Sequence, residues 1–160
     1  MPKLSAGLLL YRVRDGVVEV LIAHPGGPFW ARKDDGAWSI PKGEYAQGED
    51  PWAAAQREFE EEVGSAPPAG PRIDLAPVKQ PGGKIVTAFA VSGDLDPTNA
   101  QSNTFELEWP RGSGQMRSFP EVDRVEWFPM AQARTKLLKG QLALLDRLMA
   151  DPGLAGLREG

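Results

Sequence analysis

The segment from Asp50 to Gly64 constrains the fold most, because it marks both ends of a short helix. Asp50 followed by Pro51 is typical of an N-cap with proline at the first helical position, and Gly64 is typical of the residue that ends a helix. We therefore predict a helix over residues 51–63. At about 100° per residue, this helix has an apolar side on which it can pack against a sheet. That side is formed by Trp52, Ala55, Phe59 and Val63.

Another side of the same helix collects negative charge. Glu58, Glu61 and Glu62 fall within an arc of about 100°, whereas Glu60 points away from them. Like charges three or four residues apart destabilise a helix by about 0.2–0.5 kcal/mol per pair, and these carboxylates lie near the negative end of the helix dipole. A bound divalent cation would account for the arrangement, since carboxylate oxygens suit Mg²⁺ or Mn²⁺. The alternative is a glutamate-rich helix face that is simply solvated.

Six other segments have the apolar content and the flanking turn signals of strands. They are residues 4–13, 17–24, 73–80, 84–92, 104–109 and 123–128. Residues 25–36 are rich in glycine and proline and predict a loop. Beyond Pro129 a leucine stripe broken by Gly140 indicates helix, and we expect the tail from Asp151 to be frayed. This order predicts the α+β class, with a mixed sheet between helices.

Length and composition favour one domain over residues 1–160. The chain is 41% hydrophobic and 25% charged, as in ordinary globular proteins, and it has no cysteine, which excludes disulfides and thiolate chemistry. No segment has the pattern of a signal peptide or of a membrane span, so the default expectation is a cytoplasmic protein without a membrane partner. The net charge of −4 argues against a stable nucleic-acid partner.

The loop before the helix completes a recognisable pattern. Gly43, five residues, Glu49, seven residues and then "REFEEEVG" over residues 57–64 resemble the signature of the Nudix hydrolases. Phe59 departs mildly from that signature and Ser65 departs clearly, both at positions for bulky aliphatic residues. The resemblance implies an α/β/α sandwich with a mixed sheet. It also implies hydrolysis of a nucleoside diphosphate linked to another moiety.

The resemblance also implies roles for the charged residues of the helix. Glu58, Glu61 and Glu62 would ligate Mg²⁺ or Mn²⁺, and Glu58 or Glu61 is a candidate for the base that accepts a proton from water. Arg57 and Glu49 would be joined by hydrogen bonds that set the loop against the helix.

Residues outside the helix complete the predicted site. Gly43 would let its loop fold tightly over the helix. Lys42 is either a phosphate contact or a solvated lysine. Glu121, six residues before Trp127, resembles a spacing in Nudix diadenosine tetraphosphate hydrolases, and is either a base or extra metal ligand, or an ordinary loop acid.

Aromatic residues near the loop are candidates for stacking on a nucleobase. Phe29 and Trp30, in a loop with basic residues, are the preferred pair, whereas Trp38 is expected in the core. Lys84 is a further possible phosphate contact, and His24 is expected to be structural.

The "SAGLLLYR", "PKG" and "KIVTAFA" segments most resemble the diadenosine polyphosphate hydrolases and predicted NTP pyrophosphohydrolases of the family. A dinucleoside polyphosphate or an NTP is therefore the expected small-molecule substrate. ADP-ribose, nucleotide sugars and oxidised nucleotides stay open, as does a Nudix-like domain that binds nucleotide or RNA without catalysis.

Overall fold

The computed structural model of the protein describes residues 3–160. Its strands are β1 (Leu4–Arg14), β2 (Val17–Pro25), β3 (Lys42–Glu44), β4 (Arg72–Lys79), β5 (Ile85–Ser92), β6 (Thr104–Glu108), β7 (Met116–Pro120) and β8 (Val122–Pro129). Its helices are α1 (Pro51–Val63), α2 (Met130–Lys136) and α3 (Leu142–Met149), with single 3₁₀ turns at 97–99, 139–141 and 152–154. No helix within the described residues is long and apolar enough to cross a membrane.

The main sheet is mixed and has the strand order β4-β5-β1-β2-β8. β1 and β5 run parallel, and the other neighbours are antiparallel. The β1–β2 turn has positive φ at both Asp15 and Gly16, which is the geometry of a tight hairpin turn. Where β1 no longer pairs with β2, residues 5–7 of β1 pair with β3 instead. This pairing brings Lys42 and Gly43 beside α1.

Helices cover both faces of the sheet, which confirms the predicted α+β class and the mixed sheet between helices. On one face, α1 buries Ala54, Ala55, Phe59 and Val63 against alternate residues of β1, β2 and β5. On the other face, α2 and α3 bury a larger cluster that includes Trp38, Leu144 and Leu148. Because successive strand residues point to opposite faces, each strand contributes to both cores.

The predicted ends of α1 are confirmed. The Asp50 carboxylate accepts a hydrogen bond from the Ala53 N–H at 3.2 Å, and Pro51 is the first helical residue. Gly64 has φ of 89°, and its N–H donates to the Glu60 carbonyl at 2.8 Å. A glycine suits this left-handed position because it has no Cβ to crowd the backbone.

Two local predictions were wrong, and one strand was not predicted. Lys42 and Gly43 lie in strand β3 rather than in a loop, because β1 offers an unpaired edge there. Residues 116–120 form the missed strand β7, whose sequence has no strand pattern and which, among the described residues, pairs with β6 alone. The tail is not frayed: Leu154 is buried, and Arg158 exchanges backbone hydrogen bonds with Gly16 and Val18 at 2.9 Å each.

Candidate active site

The carboxylate side of α1 lies directly against β3. A Cβ at Gly43 would overlap the Glu58 carboxylate, so this position requires a residue without a side chain. Arg57 donates to the Glu49 carboxylate, to Glu58 Oε1 at 3.2 Å and to the Glu44 carbonyl at 3.4 Å. The guanidinium therefore ties the segment before the helix to the helix, in the arrangement that the resemblance implies.

The site concentrates acid groups that burial has partly removed from water. Burial raises the pKa of Glu62 to about 8, although the charge and the nearby backbone N–H of Lys42 lower it. Burial also raises the pKa of Glu58, where the Arg57 hydrogen bond acts in the opposite direction and the charge of Glu61 adds to the rise. The pKa of Glu121 is raised by burial and then by Glu61. Four carboxyl groups therefore share one electrostatic environment.

The donor chemistry of this group fits a hard divalent cation. Buried carboxylates that oppose one another's ionisation are stabilised by a bound cation, and the close approach at Gly43 leaves Glu58 facing the loop. Within residues 3–160, however, no three acidic or histidine side chains stand in the geometry of a preformed metal site. The carboxylates therefore lie near one another without forming a preorganised metal site in the described residues.

Backbone hydrogen bonds hold Glu121 beside this group. Its N–H donates to the Asn103 carbonyl at 2.9 Å, and its carbonyl accepts from the Gly26 N–H at 2.9 Å. Asn103 in turn donates its N–H to the Glu61 carbonyl at 2.9 Å. The Ser102 hydroxyl accepts a hydrogen bond of 3.0 Å from the N–H of Val122, which directly follows Glu121. Residues 101–103 thus connect the end of α1 to Glu121. They carry no side-chain pattern by which the sequence could have revealed this role.

A cavity of about 210 Å³ adjoins the carboxylates. Its lining residues are Ala23, Pro25, Trp30, Ala37, Ser39, Lys42, Glu62, Glu121, Val122 and Leu138. An aromatic wall thus lies beside two of the acids and a lysine, and the Lys33 ammonium lies 5.0 Å from the centre of the Trp30 ring. Phe29 is not among the lining residues. Its ring is 48% exposed and meets Trp109 edge to face instead.

Burial and contacts define the environments of the remaining candidate residues, Lys42, Trp38 and His24. Burial lowers the pKa of Lys42, and the charge of Lys84 lowers it further, so these lysines are neighbours and Lys42 is not a solvated side chain. Trp38 is 1% exposed and belongs to the core, as predicted. His24 is fully buried, with Nδ1 2.8 Å from Asp123 Oδ1 and Nε2 2.6 Å from the Lys33 carbonyl oxygen. These contacts agree with the structural role expected for it.

Comparisons with known proteins found one matching family and one curated relative. A model of the NUDIX domain matches residues 1–148. An RNA pyrophosphohydrolase from Rhodospirillum rubrum is 48% identical over 66 residues, which are 40% of this chain and 39% of that relative. The chain thus aligns with well under half of that relative's length.

Two solved structures show the same fold at low identity. A binary complex of a C. elegans Ap4A hydrolase has a TM-score of 0.63 and 23% identity, covering 96% of this chain and 99% of its own. The NUDIX domain of Shewanella oneidensis NrtR, complexed with ADP ribose, has a TM-score of 0.61 and 17% identity, covering 92% and 86%.

Proposed function

The chain belongs to the Nudix family, and from this premise we propose that it hydrolyses a phosphoanhydride bond in a nucleoside diphosphate linked to another moiety, with a divalent metal ion. The observation that carries this proposal is the shared site of Glu58, Glu61, Glu62 and Glu121. Burial raises the pKa of Glu58, Glu62 and Glu121, and the charge of Glu61 adds to the rise at Glu58 and Glu121, beside a cavity with an aromatic wall. The arrangement suits a cationic partner and a polyphosphate.

Glu58, Glu61 and Glu62 would hold Mg²⁺ or Mn²⁺. When bound, such a cation offsets charge on the phosphate oxygens and lowers the pKa of a water molecule. Arg57 would keep Glu58 and Glu61 in place, because its guanidinium contacts Glu58 Oε1 at 3.2 Å and lies 3.9 Å from Glu61 Oε1.

Glu121 is the residue we assign as general base. It adjoins Glu61 and lines the cavity without belonging to α1, so its carboxylate is free to take a proton from the attacking water. The water oxygen then forms a bond to phosphorus as the bond to the bridging oxygen breaks, and the departing phosphate carries the electron pair. Lys42, with Lys84 as its neighbour, is placed to balance charge on the phosphates.

The substrate we propose is a dinucleoside polyphosphate or an NTP. Trp30 offers a face for a nucleobase, and the cavity of about 210 Å³ suits one base rather than a whole dinucleotide. The Ap4A hydrolase likeness supports this choice at the level of fold, and the RNA pyrophosphohydrolase relative supports pyrophosphate chemistry. ADP-ribose hydrolysis and binding without catalysis are the alternative outcomes of the assay.

The test is a substrate panel assayed with Mg²⁺, with Mn²⁺ and with a chelator, followed by chromatographic separation of the products. We expect turnover of diadenosine tetraphosphate or NTPs with metal, and none with chelator. Glu61→Gln should reduce turnover by about 100-fold or more, as expected for a lost metal ligand or positioned acid. Glu60→Gln is the matched control, because Glu60 is exposed on the same helix. Equal loss in the two variants, or unchanged turnover in Glu61→Gln at saturating Mg²⁺, would contradict the mechanism.

A further inference from the structure

A two-stranded arm leaves the protein at the candidate site. The arm consists of residues 104–120, in which β6 and β7 pair only with each other within residues 3–160. Asn103 and Glu121 flank it and are joined by the backbone hydrogen bond of 2.9 Å. Both ends of the arm therefore lie at the catalytic carboxylates.

The two faces of the arm differ in chemistry. In the register, Phe105 pairs with Phe119 and Leu107 with Arg117, whereas Glu106 pairs with Ser118 and Glu108 with Met116. Paired residues project from the same side of a strand pair. One face is therefore largely apolar and the other is polar, apart from Met116, which is 60% exposed.

The apolar face lies on the loop that supplies Trp30. A Cβ at Gly27 would stand 2.9 Å from Phe105 Cζ, so the loop backbone packs directly on this ring. Farther along the arm, the Phe29 and Trp109 rings meet edge to face at 5.6 Å, and the Arg111 guanidinium is 5.7 Å from the centre of the Phe29 ring. We name Phe29, Trp109 and Arg111 the arm platform.

The platform combines an exposed ring with a cation. Phe29 keeps 48% of its surface exposed to water. It is not needed to join the arm to the loop, because Phe105 already makes that contact. An accessible aromatic face is a general stacking surface for nucleobases, and a guanidinium adds a cation that can stack or contact phosphate.

The size of the cavity decides which ligand can use this platform. Phe29 directly precedes Trp30, so the platform continues from the aromatic wall of the cavity out to Trp109. At about 3.4 Å per residue, Trp109 lies roughly 17 Å along the strand from Thr104. The cavity beside Trp30, at about 210 Å³, is smaller than the roughly 300–1,000 Å³ of pockets that enclose a drug-sized ligand. A mononucleotide with its base in this cavity has no second group to reach the platform. A molecule with two nucleosides at the ends of a polyphosphate chain has one.

We propose that the arm platform stacks the second nucleobase of a dinucleoside polyphosphate whose first base lies against Trp30. This inference rests on the proposed function, because it assigns the substrate's phosphates to the carboxylates. It makes the arm the element that distinguishes dinucleoside substrates from NTPs.

The experiment measures a selectivity ratio, namely kcat/KM for diadenosine tetraphosphate divided by kcat/KM for ATP. Trp109→Ala should lower this ratio by about 10-fold, the loss expected for one base–aromatic stack. Trp109→Phe should restore most of it. Met116→Ala, which removes an exposed apolar side chain from the opposite face of the arm, should leave the ratio unchanged. Thermal unfolding of each variant checks that the chain is folded.

A binding measurement shows whether this inference or the proposed function is wrong. Calorimetry in chelator measures the affinities of diadenosine tetraphosphate and ATP for wild-type and Trp109→Ala protein. If neither compound is hydrolysed but Trp109→Ala loses affinity for diadenosine tetraphosphate and not for ATP, the platform is supported and the proposed function is contradicted. If hydrolysis occurs and the ratio is the same in wild type and Trp109→Ala, the platform is refuted. A greater loss with a 5′-triphosphorylated RNA dinucleotide than with diadenosine tetraphosphate would overturn the dinucleoside assignment.

Discussion

The pKa of Glu62 predicts how the stability of the metal-free protein changes with pH. Burial raises this pKa from 4.5 to about 8. Between these values the folded protein keeps a proton that the unfolded chain releases. The contribution of Glu62 to stability is therefore fully present below pH 4.5 and is lost as pH rises through 8.

The magnitude follows from linkage. A difference of one pKa unit corresponds to about 1.36 kcal/mol, so the rise from pH 6 to pH 8 removes at most about 2.7 kcal/mol from the free energy of unfolding. Because Glu62 keeps some contact with water, we expect a smaller loss of about 1–2 kcal/mol. Glu62→Gln has no proton to lose, so the variant should gain this amount relative to wild type over that range. For a chain of this size, each kcal/mol corresponds to a shift in Tm of about 2–4 °C.

The assay is urea unfolding in chelator at pH 6, 7, 8 and 9 for wild type, Glu62→Gln and the exposed control Glu60→Gln. The wild-type and Glu60→Gln curves should fall together with pH, whereas the Glu62→Gln curve should fall less. Added Mg²⁺ should stabilise wild type more at pH 9 than at pH 6, because at low pH the cation must displace a proton. Wild-type and Glu62→Gln stabilities that run parallel from pH 6 to pH 9 would refute the reasoning.

Three further outcomes test other parts of the structure. Gly43→Ala should displace the Glu58 carboxylate and weaken Mg²⁺-dependent activity by about 10- to 100-fold, as measured by a metal titration that would show no change if the contact were unimportant. Glu121→Gln should lower kcat by about 10²–10⁴-fold with little effect on the Mg²⁺ concentration needed, and a shift in that requirement alone would make Glu121 a metal ligand instead. Leu154→Ala should lower the free energy of unfolding by about 2–3 kcal/mol in urea, because Leu154 is 5% exposed, whereas a frayed tail would show no loss.

Much of the fold was predictable because its signals are local. The turn at Asp15 and Gly16 and the caps at Asp50 and Gly64 depend on the backbone preferences of single residues, and all are present in the structure. The burial of one side of α1 follows from helical periodicity. By contrast, β7 has a single partner in the part of the chain that the structure describes, and its sequence has no apolar alternation, so no pattern indicated this strand.

The candidate site divides in the same way. The spacing of Glu58, Glu61 and Glu62 along a helix determined by itself that three carboxylates project from one side, because 3.6 residues per turn is a local property. Only the tertiary structure decided what they meet. It pairs β3 with β1, which brings Gly43 against Glu58, and it joins Glu121 to the end of α1 through backbone hydrogen bonds. Every residue except proline has the same backbone donor and acceptor, so such long-range bonds leave no trace in the sequence.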